Sequence, residues 1–168
     1  MTSEIQSLDE RFMQAAMEEA QRAASLGEIP VGAVLVHNGE IIARGCNQSI
    51  TLNDPSAHAE MQAIREAGQV LNNYRMLDCT LYVTLEPCPM CTGLLVHSRI
   101  KRLVFAASDA KTGACGSVFN LAQSEQLNHQ LEITGGVLAQ PCSQYLSAFF
   151  KTRREQKKKE KLARRRES

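Results

Sequence analysis

Residues 80–97 read TLYVTLEPCPMCTGLLVH, and this stretch decides the fold. Its first part, 80–85, is rich in β-branched and apolar residues, which predicts a buried strand. Pro89 suits the first turn of a helix because its missing N–H would have no intrahelical partner there. We therefore expect a helix from Pro89 to about His97, followed by a strand over the apolar run 103–107. A strand–helix–strand unit of this kind predicts parallel neighbours joined by a right-handed crossover.

Two helices are predicted upstream of this unit. Ser7-Leu8-Asp9-Glu10 is typical of a capping box with Ser7 as the N-cap residue. The helix behind it is expected to run to about Leu26, because Gly27 favours a helix end. The break at Asp54-Pro55-Ser56 precedes a second helix, predicted from about residue 58 to residue 70.

The remaining strands come from short apolar runs. Runs 31–36 and 40–43 flank Asn38-Gly39, and this dipeptide favours the type I′ turn of an antiparallel hairpin. A further strand is predicted over 131–134, and a last helix starts near Cys142 and continues into a basic tail. The order of elements predicts an α/β protein with a three-layer α/β/α architecture and a mixed, about five-stranded central sheet.

Length and composition favour one domain. The chain has 168 residues, and no apolar stretch approaches the roughly 20 residues that a membrane helix needs. The first ten residues, MTSEIQSLDE, lack the basic and apolar regions of a signal peptide. We therefore expect a cytoplasmic protein with no membrane partner. In that compartment its six cysteines are expected to be metal ligands or buried thiols rather than disulfides.

Charge divides the chain into two parts. Residues 1–150 hold 9 Lys/Arg and 15 Asp/Glu, whereas residues 151–168 hold 10 Lys/Arg and 3 Asp/Glu. This division predicts a folded domain over 1–150 and a basic C-terminal helical tail over 151–168 that is part of the last helix. A basic tail on an acidic body indicates a polyanionic partner. The alternative is a solvated terminal helix without such a role.

Two short motifs carry the chemistry: His58-Ala59-Glu60 and Pro87-Cys88-Pro89-Met90-Cys91. Cys88 and Cys91 lie three residues apart at a helix start, where the amide dipoles favour the thiolate form that binds metal. With His58 they make three ligands. A structural zinc has four protein ligands, whereas a catalytic zinc keeps one position open for water. Glu60 would then act as a general acid/base beside an activated water.

Three other interpretations of these residues stay open. Cys88 and Cys91 could form a redox pair, although Glu86-Pro87 does not resemble the thioredoxin-like context of such pairs. A structural zinc could recruit His97 or another cysteine as a fourth ligand. Glu60 could be an ordinary surface residue of its helix.

The pattern H-x-E…P-C-x-x-C resembles the signature of the zinc-dependent nucleobase deaminases. Within that family, the chain is similar to the bacterial tRNA adenosine deaminases over about residues 8–150. The similar segments are 28–34 (EIPVGAV), 53–57 (NDPSA), 84–88 (TLEPC), 108–113 (SDAKTG), 128–129 (NH) and 132–133 (EI). The resemblance implies that residues 1–150 form a zinc nucleobase deaminase domain with a cytidine deaminase-like fold.

The resemblance also implies a reaction. His58, Cys88 and Cys91 would bind Zn²⁺, and Glu60 would shuttle protons. Zinc-activated water would convert adenosine to inosine at the wobble position of a tRNA anticodon loop. The expected partner is therefore the anticodon stem-loop of a tRNA, and the family is typically a homodimer.

Two substrate contacts come from the same resemblance. Asn47 matches a position that hydrogen-bonds the bound nucleoside, and the alternative is that it caps the turn after the second strand. Asp109 matches a loop position that faces the RNA backbone, where a 2′-hydroxyl would suit its acceptor oxygens. The alternative for Asp109 is a plain turn residue.

Several further residues have two interpretations, and one of the two is a role in RNA binding or dimerisation. Phe149-Phe150 would stack on bases or anchor the last helix, and Arg99, Lys101 and Arg102 would contact RNA or be solvated. The basic residues of the tail are candidates for phosphate contacts. Met61, Met90 and residues 94–96 would form an apolar interface or belong to the core.

Two rival functions share the zinc motif. One is a deaminase of free cytidine, deoxycytidylate or guanine, and the other is a noncatalytic zinc module that binds RNA. The run 109–113 and the basic tail favour RNA over free nucleosides. Glu60 favours an enzyme, because a purely structural zinc site has no need of it.

Overall fold

The structure is a computed structural model that describes residues 2–168. Its helices and strands follow the predicted order. They are α1 (Thr2–Ser25), β1 (Gly32–His37), β2 (Glu40–Cys46), α2 (Ala59–Leu71), β3 (Cys79–Leu85), α3 (Pro89–His97), β4 (Arg102–Ala107), β5 (Glu132–Gly135) and α4 (Ala139–Glu167).

The five strands form one mixed sheet in the order β2-β1-β3-β4-β5. β1 is antiparallel to β2 and β3, whereas β3, β4 and β5 run parallel. The hairpin turn has positive φ at both Asn38 (52°) and Gly39 (77°), as a type I′ turn requires. Because β2, β3 and β4 all point the same way, their carboxyl ends meet at one edge of the sheet.

Helices cover both faces of the sheet. On one face α2 and α3 bury apolar side chains in the larger core cluster, among them Ala63 and Leu95. On the other face α1 and α4 contribute Met13 and Cys142 to a second cluster. The predicted three-layer α/β/α architecture with a mixed five-stranded sheet is therefore confirmed.

Two glycines let helices pack directly on the sheet. A Cβ atom at Gly32 of β1 would overlap the backbone of α1 at Ala16. A Cβ atom at Gly45 of β2 would overlap the backbone of α2 at Ala59. Side chains at these positions would separate the layers, so glycine sets the helix–sheet distance on both faces.

A buried ion pair ties α1 to the sheet. Both carboxylate oxygens of Asp9 accept from the guanidinium of Arg102, at 2.9 and 2.7 Å. The hydroxyl of Tyr82 donates to the same carboxylate at 2.8 Å, and Arg102 also donates to Thr134 at 2.9 Å. Arg102 is therefore held by an ion pair within the fold, and free solvation is wrong for it.

Two predicted helix starts are wrong. Ser7 lies inside α1 rather than at its N-cap, because residues 2–6 contain no Gly or Pro and continue the helix outward. The last helix starts at Ala139, before Cys142. Its Pro141 falls in the first turn, where the missing N–H leaves no hydrogen bond unmade.

All six cysteines are free thiols, and five of them are buried. This agrees with the expectation of ligands or buried thiols. Within residues 2–168, no helix has the length and apolarity needed to cross a bilayer.

Candidate active site

The candidate metal ligands meet at the starts of two helices. His58 is the residue before α2, Cys88 is the residue before α3, and Cys91 lies in the first turn of α3. Nδ1 of His58 is 3.6 Å from Sγ of Cys88 and 3.5 Å from Sγ of Cys91. The ligand atoms of all three residues lie within 4.8 Å of one another. The fold thus joins two motifs that are about 30 residues apart in the sequence.

The electrostatics of this group suit a thiolate-binding metal. A hydrogen bond from Cys91, aided by His58 and opposed by burial, lowers the pKa of the Cys88 thiol to about 4. The same hydrogen bond raises the pKa of Cys91, and burial adds to that effect. The hydrogen bond with Cys88 also raises the pKa of His58. One imidazole and two sulfurs within reach of a single ion form a donor set that zinc prefers.

No fourth ligand joins this group among the residues that the structure describes. His97, at the far end of α3, is exposed and lies outside the group. A three-ligand site leaves room for water, as catalytic zinc sites do. The arrangement therefore contradicts a structural zinc closed by His97.

Glu60 lies beside the candidate ligands in the first turn of α2 and is only 4% exposed. Burial raises its pKa, and its backbone N–H and the nearby His58 oppose that shift. A carboxyl with a raised pKa can accept and release protons near neutral pH. The interpretation of Glu60 as an ordinary surface residue is wrong.

A cavity of about 500 Å³ opens at the sheet edge where β3 and β4 end. His58, Glu60 and Cys88 line it, so the metal-ligand group and the buried carboxyl face the same space. Residues 108–112 form one wall, and Phe150 of α4 contributes to another. A cavity of this volume is typical of small-molecule sites.

Asn47 lines the cavity at the end of β2. Its Oδ1 accepts a hydrogen bond of 2.9 Å from the backbone N–H of Ala59, so the side chain caps the first turn of α2. The amide nitrogen of Asn47 is the part of the side chain that remains for a ligand.

Asp109 also lines the cavity, and its carboxylate shapes its own loop. Oδ1 accepts from the backbone N–H groups of Lys111 and Thr112 at 3.0 and 3.2 Å, and Oδ2 accepts from the Thr112 hydroxyl at 2.9 Å. Asp109 therefore stabilises the turn of its own loop. An ionised carboxylate has about four acceptor positions, so this role leaves one open on Oδ2.

The aromatic pair of α4 divides between two surroundings. Phe150 lines the cavity. Phe149 packs edge-on against the Phe150 ring, with ring centroids 5.9 Å apart. The guanidinium of Arg153 lies over the Phe149 ring at 5.5 Å. The basic residues from Arg154 onward are exposed along the rest of α4.

Sequence reasoning missed two buried glutamates, of which Glu86 lines the cavity. Glu28 is 1% exposed and accepts from the backbone of Ile50 and from both the N–H and the hydroxyl of Thr51, at 2.6–3.1 Å. Glu86 is 2% exposed and binds the segment that follows β4. Both stand in motifs quoted for the resemblance, EIPVGAV and TLEPC, which was the only signal that could have found them.

Comparisons with known proteins match this chain to deaminases. The family described as "Cytidine and deoxycytidylate deaminase zinc-binding region" matches residues 6–107. A tRNA-specific adenosine deaminase of Haemophilus influenzae is 58% identical over 154 residues, which is 91% of this chain and 89% of that protein.

Two solved structures extend the comparison. One comes from studies of A-to-I editing by tRNA:A34 deaminases at the wobble position of transfer RNA. It has a TM-score of 0.77 and 39% identity, over 80% of this chain and 97% of the other. The other is a guanine deaminase from Bacillus subtilis, with a TM-score of 0.58 and 44% identity, over 64% of this chain and 69% of the other.

Proposed function

Because the chain belongs to the zinc-dependent cytidine and deoxycytidylate deaminase family, and within it to the tRNA-specific adenosine deaminases, we propose that it converts adenosine to inosine in RNA. The target is the wobble position of a tRNA anticodon loop. One observation carries the proposal: a group of three metal-ligand candidates, two of which line a cavity large enough for a base, lies beside a buried carboxyl that lines the same cavity.

His58, Cys88 and Cys91 are the residues that would hold Zn²⁺. When bound, the ion lowers the pKa of a water towards neutrality, which makes hydroxide available. The lowered pKa of Cys88 favours the ionised sulfur that metal binding requires. His97 takes no part.

Glu60 moves the protons. Its carboxylate accepts a proton from the attacking water and delivers it to N1 of adenine, while the C6–O bond forms. The carboxylate then takes the proton of the new C6 hydroxyl and passes it to the amino group at C6, so that the C6–N bond breaks, the C6=O bond of inosine forms, and ammonia leaves. Burial of Glu60 favours the protonated carboxyl that forms within each of these two transfers.

Asn47 and Asp109 are assigned to substrate binding. The amide nitrogen of Asn47 is free to donate to the nucleoside, because Oδ1 is already bound by Ala59. Asp109 accepts a hydrogen bond from a ribose hydroxyl at the remaining acceptor position of Oδ2. The base must leave its stack to reach Glu60, and a single-stranded loop makes that step least costly.

The assembly and location belong to the same proposal. The protein acts in the cytoplasm as a homodimer, and residues 151–168 form a basic tail on a deaminase domain of residues 1–150. Leu95 and Val96 are core residues, so the interface interpretation is wrong for them. The exposed Met90 on the outer side of α3 remains a candidate for the interface.

The decisive experiment compares substrates. Purified protein is incubated separately with tRNA, cytidine and guanine, and ammonia release is measured while treated tRNA is sequenced. We expect an A-to-I change at the wobble position and no ammonia from the free compounds. Guanine is the key comparison, because the B. subtilis guanine deaminase is 44% identical to part of this chain. Ammonia from guanine with unchanged tRNA would overturn the assignment.

A further inference from the structure

Glu86 is held at the junction of two strands and the metal-ligand motif. It follows the last residue of β3 and stands two residues before Cys88. Its backbone N–H donates to the carbonyl of Ala107, the last residue of β4, at 2.8 Å. The position of its side chain is therefore fixed by the sheet itself.

The Glu86 carboxylate accepts four hydrogen bonds from one segment. Oε1 accepts from the backbone N–H of Asp109 at 3.1 Å and from the hydroxyl of Ser117. Oε2 accepts from the backbone N–H groups of Cys115 and Ser117 at 3.0 and 3.1 Å. Every partner is a donor, and three of them are backbone groups.

This segment, residues 108–117, begins with the cavity wall of residues 108–112 and forms no helix or strand of its own. Its packing on the carboxylate is tight, because a Cβ atom at Gly113 would overlap the carboxyl group of Glu86. The backbone N–H of Ala114 also donates to the carbonyl of Pro87 at 2.9 Å. The wall is thus shaped around one buried carboxylate.

We propose, on the basis of the deaminase function above, that Glu86 is a positioning residue that sets substrate affinity by holding residues 108–117 against the bound nucleotide. It takes no part in proton transfer, because its four hydrogen bonds occupy the carboxylate. The wall presents Asp109 and Lys111 to the cavity, so a displaced wall weakens binding while Glu60 keeps its place.

Glu86→Gln tests this role. Glutamine keeps the shape of the side chain but turns an N–H₂ group towards backbone N–H donors, so at least one of the four hydrogen bonds is broken and two are broken if the amide nitrogen replaces Oε2. We expect KM for an anticodon stem-loop to rise about 10-fold or more, which corresponds to roughly 1.4 kcal/mol. We expect kcat to change less than about 3-fold and bound zinc per chain to stay the same. Ser117→Ala removes part of the same network and should give a smaller rise in KM.

Glu132→Gln is the matched control. Glu132 is exposed at the start of β5, at the opposite edge of the sheet, and undergoes the same loss of negative charge. Removing a negative charge favours binding of a polyanion, so charge alone predicts an unchanged or lower KM in both variants. A higher KM in Glu86→Gln alone would therefore show that displacement of the wall, and not the loss of charge, weakens substrate binding.

Limited proteolysis provides a readout that needs no activity. Lys111 is an exposed trypsin site within the wall, and the exposed lysines of α4 at 157–159 serve as an internal reference. We expect cleavage after Lys111 to be at least several-fold faster in Glu86→Gln than in the wild type, relative to the reference sites.

Three results would count against these roles. Wild-type KM together with wild-type cleavage after Lys111 would overturn the role of Glu86. Zinc loss with a collapsed kcat and an unchanged KM would also overturn it, because Glu86 would then support the metal ligands. If the wild-type protein deaminated no RNA, the proposed function would fail, and cleavage after Lys111 would still decide whether Glu86 holds the wall.

Discussion

At the scale of single residues, Glu60 has the most demanding environment. It is buried next to His58 and the two cysteines, where a carboxyl is useful for proton transfer and of little use for stability. Glu60→Gln keeps the shape and removes the proton-transfer group. We expect kcat for inosine formation to fall about 10²–10⁴-fold, with zinc content and thermal unfolding unchanged. Zinc analysis and tRNA sequencing on the same preparation measure both, and a wild-type rate would exclude Glu60 from the mechanism.

The residues that sequence reasoning missed share one property. The carboxylate of Glu86 is bound by donors 23 to 31 residues away, and that of Glu28 by donors 22 and 23 residues away. Nothing in the local pattern around either glutamate identifies those donors. In contrast, the spacing within His58-x-Glu60 and Cys88-x-x-Cys91 is local, so helix geometry alone predicted that each motif faces one way. That the two motifs converge depends on the packing of α2 beside α3.

At the scale of elements, the ion pair of Asp9 and Arg102 joins α1 to β4. Burial raises the pKa of Asp9, but hydrogen bonds from Arg102 and Tyr82 outweigh burial and lower it below its ordinary value of 3.8. A lowered folded-state pKa stabilises the protein above 3.8, and this stability is lost as the pH falls through the folded-state pKa.

Asp9→Asn should therefore lower the free energy of unfolding at neutral pH by about 1–3 kcal/mol, because Arg102 loses its partner. The difference from wild type should narrow as the pH falls below 3.8, where the wild-type carboxyl also becomes neutral. Urea unfolding across this pH range measures both effects. Glu10→Gln, at the next position, is the control and should change little. A difference that stayed constant with pH would show that the charge of Asp9 is unimportant.

The close approach of α1 to β1 gives a second prediction for elements. Gly32→Ala would force the helix and strand apart and should destabilise the fold by about 1–3 kcal/mol. Gly93→Ala is the matched control within α3, where a Cβ atom meets nothing within 4 Å. This second substitution should stabilise the protein by roughly 0.5–1 kcal/mol, because alanine favours a helix interior. Thermal unfolding of the two variants should thus shift in opposite directions, and equal shifts would contradict the packing argument.

Element boundaries were predictable where local chemistry decides them. Asn38-Gly39 formed the expected turn, and Gly27, with φ of 77°, ended α1 as predicted. The predicted helix start at Ser7 was wrong because serine can occupy either an N-cap or a helix interior. Only the residues before Ser7 determine which of these two positions it takes. The pairing of β5 with β4 rests on contacts that no local pattern specifies.

At the scale of the whole molecule, charge is divided between an acidic body and the basic second half of α4. Residues 155–168 hold seven Lys/Arg and three Glu, and all of them are exposed. Deleting them should leave the fold intact and weaken tRNA binding most at low salt, since the attraction between lysine or arginine and phosphate weakens as salt rises.

The measurement is tRNA affinity over roughly 50–200 mM salt for the full-length and the shortened chain. The slope of log affinity against log salt should become shallower by up to about 0.9 for each phosphate group that the tail neutralises. Identical slopes would mean that the tail is a solvated helix without a role in binding. A change in thermal unfolding would instead show that the tail packs on the body.

The cavity wall of residues 108–112 belongs to a different segment from the groups that perform the reaction. Glu86 fastens this loop, whereas the zinc-ligand candidates and Glu60 sit at the starts of α2 and α3. Substrate choice can therefore be exchanged in protein engineering by grafting a loop together with its glutamate. A tRNA-specific adenosine deaminase and a guanine deaminase both resemble this chain, which is the outcome expected if loops diverge while the chemistry is inherited unchanged.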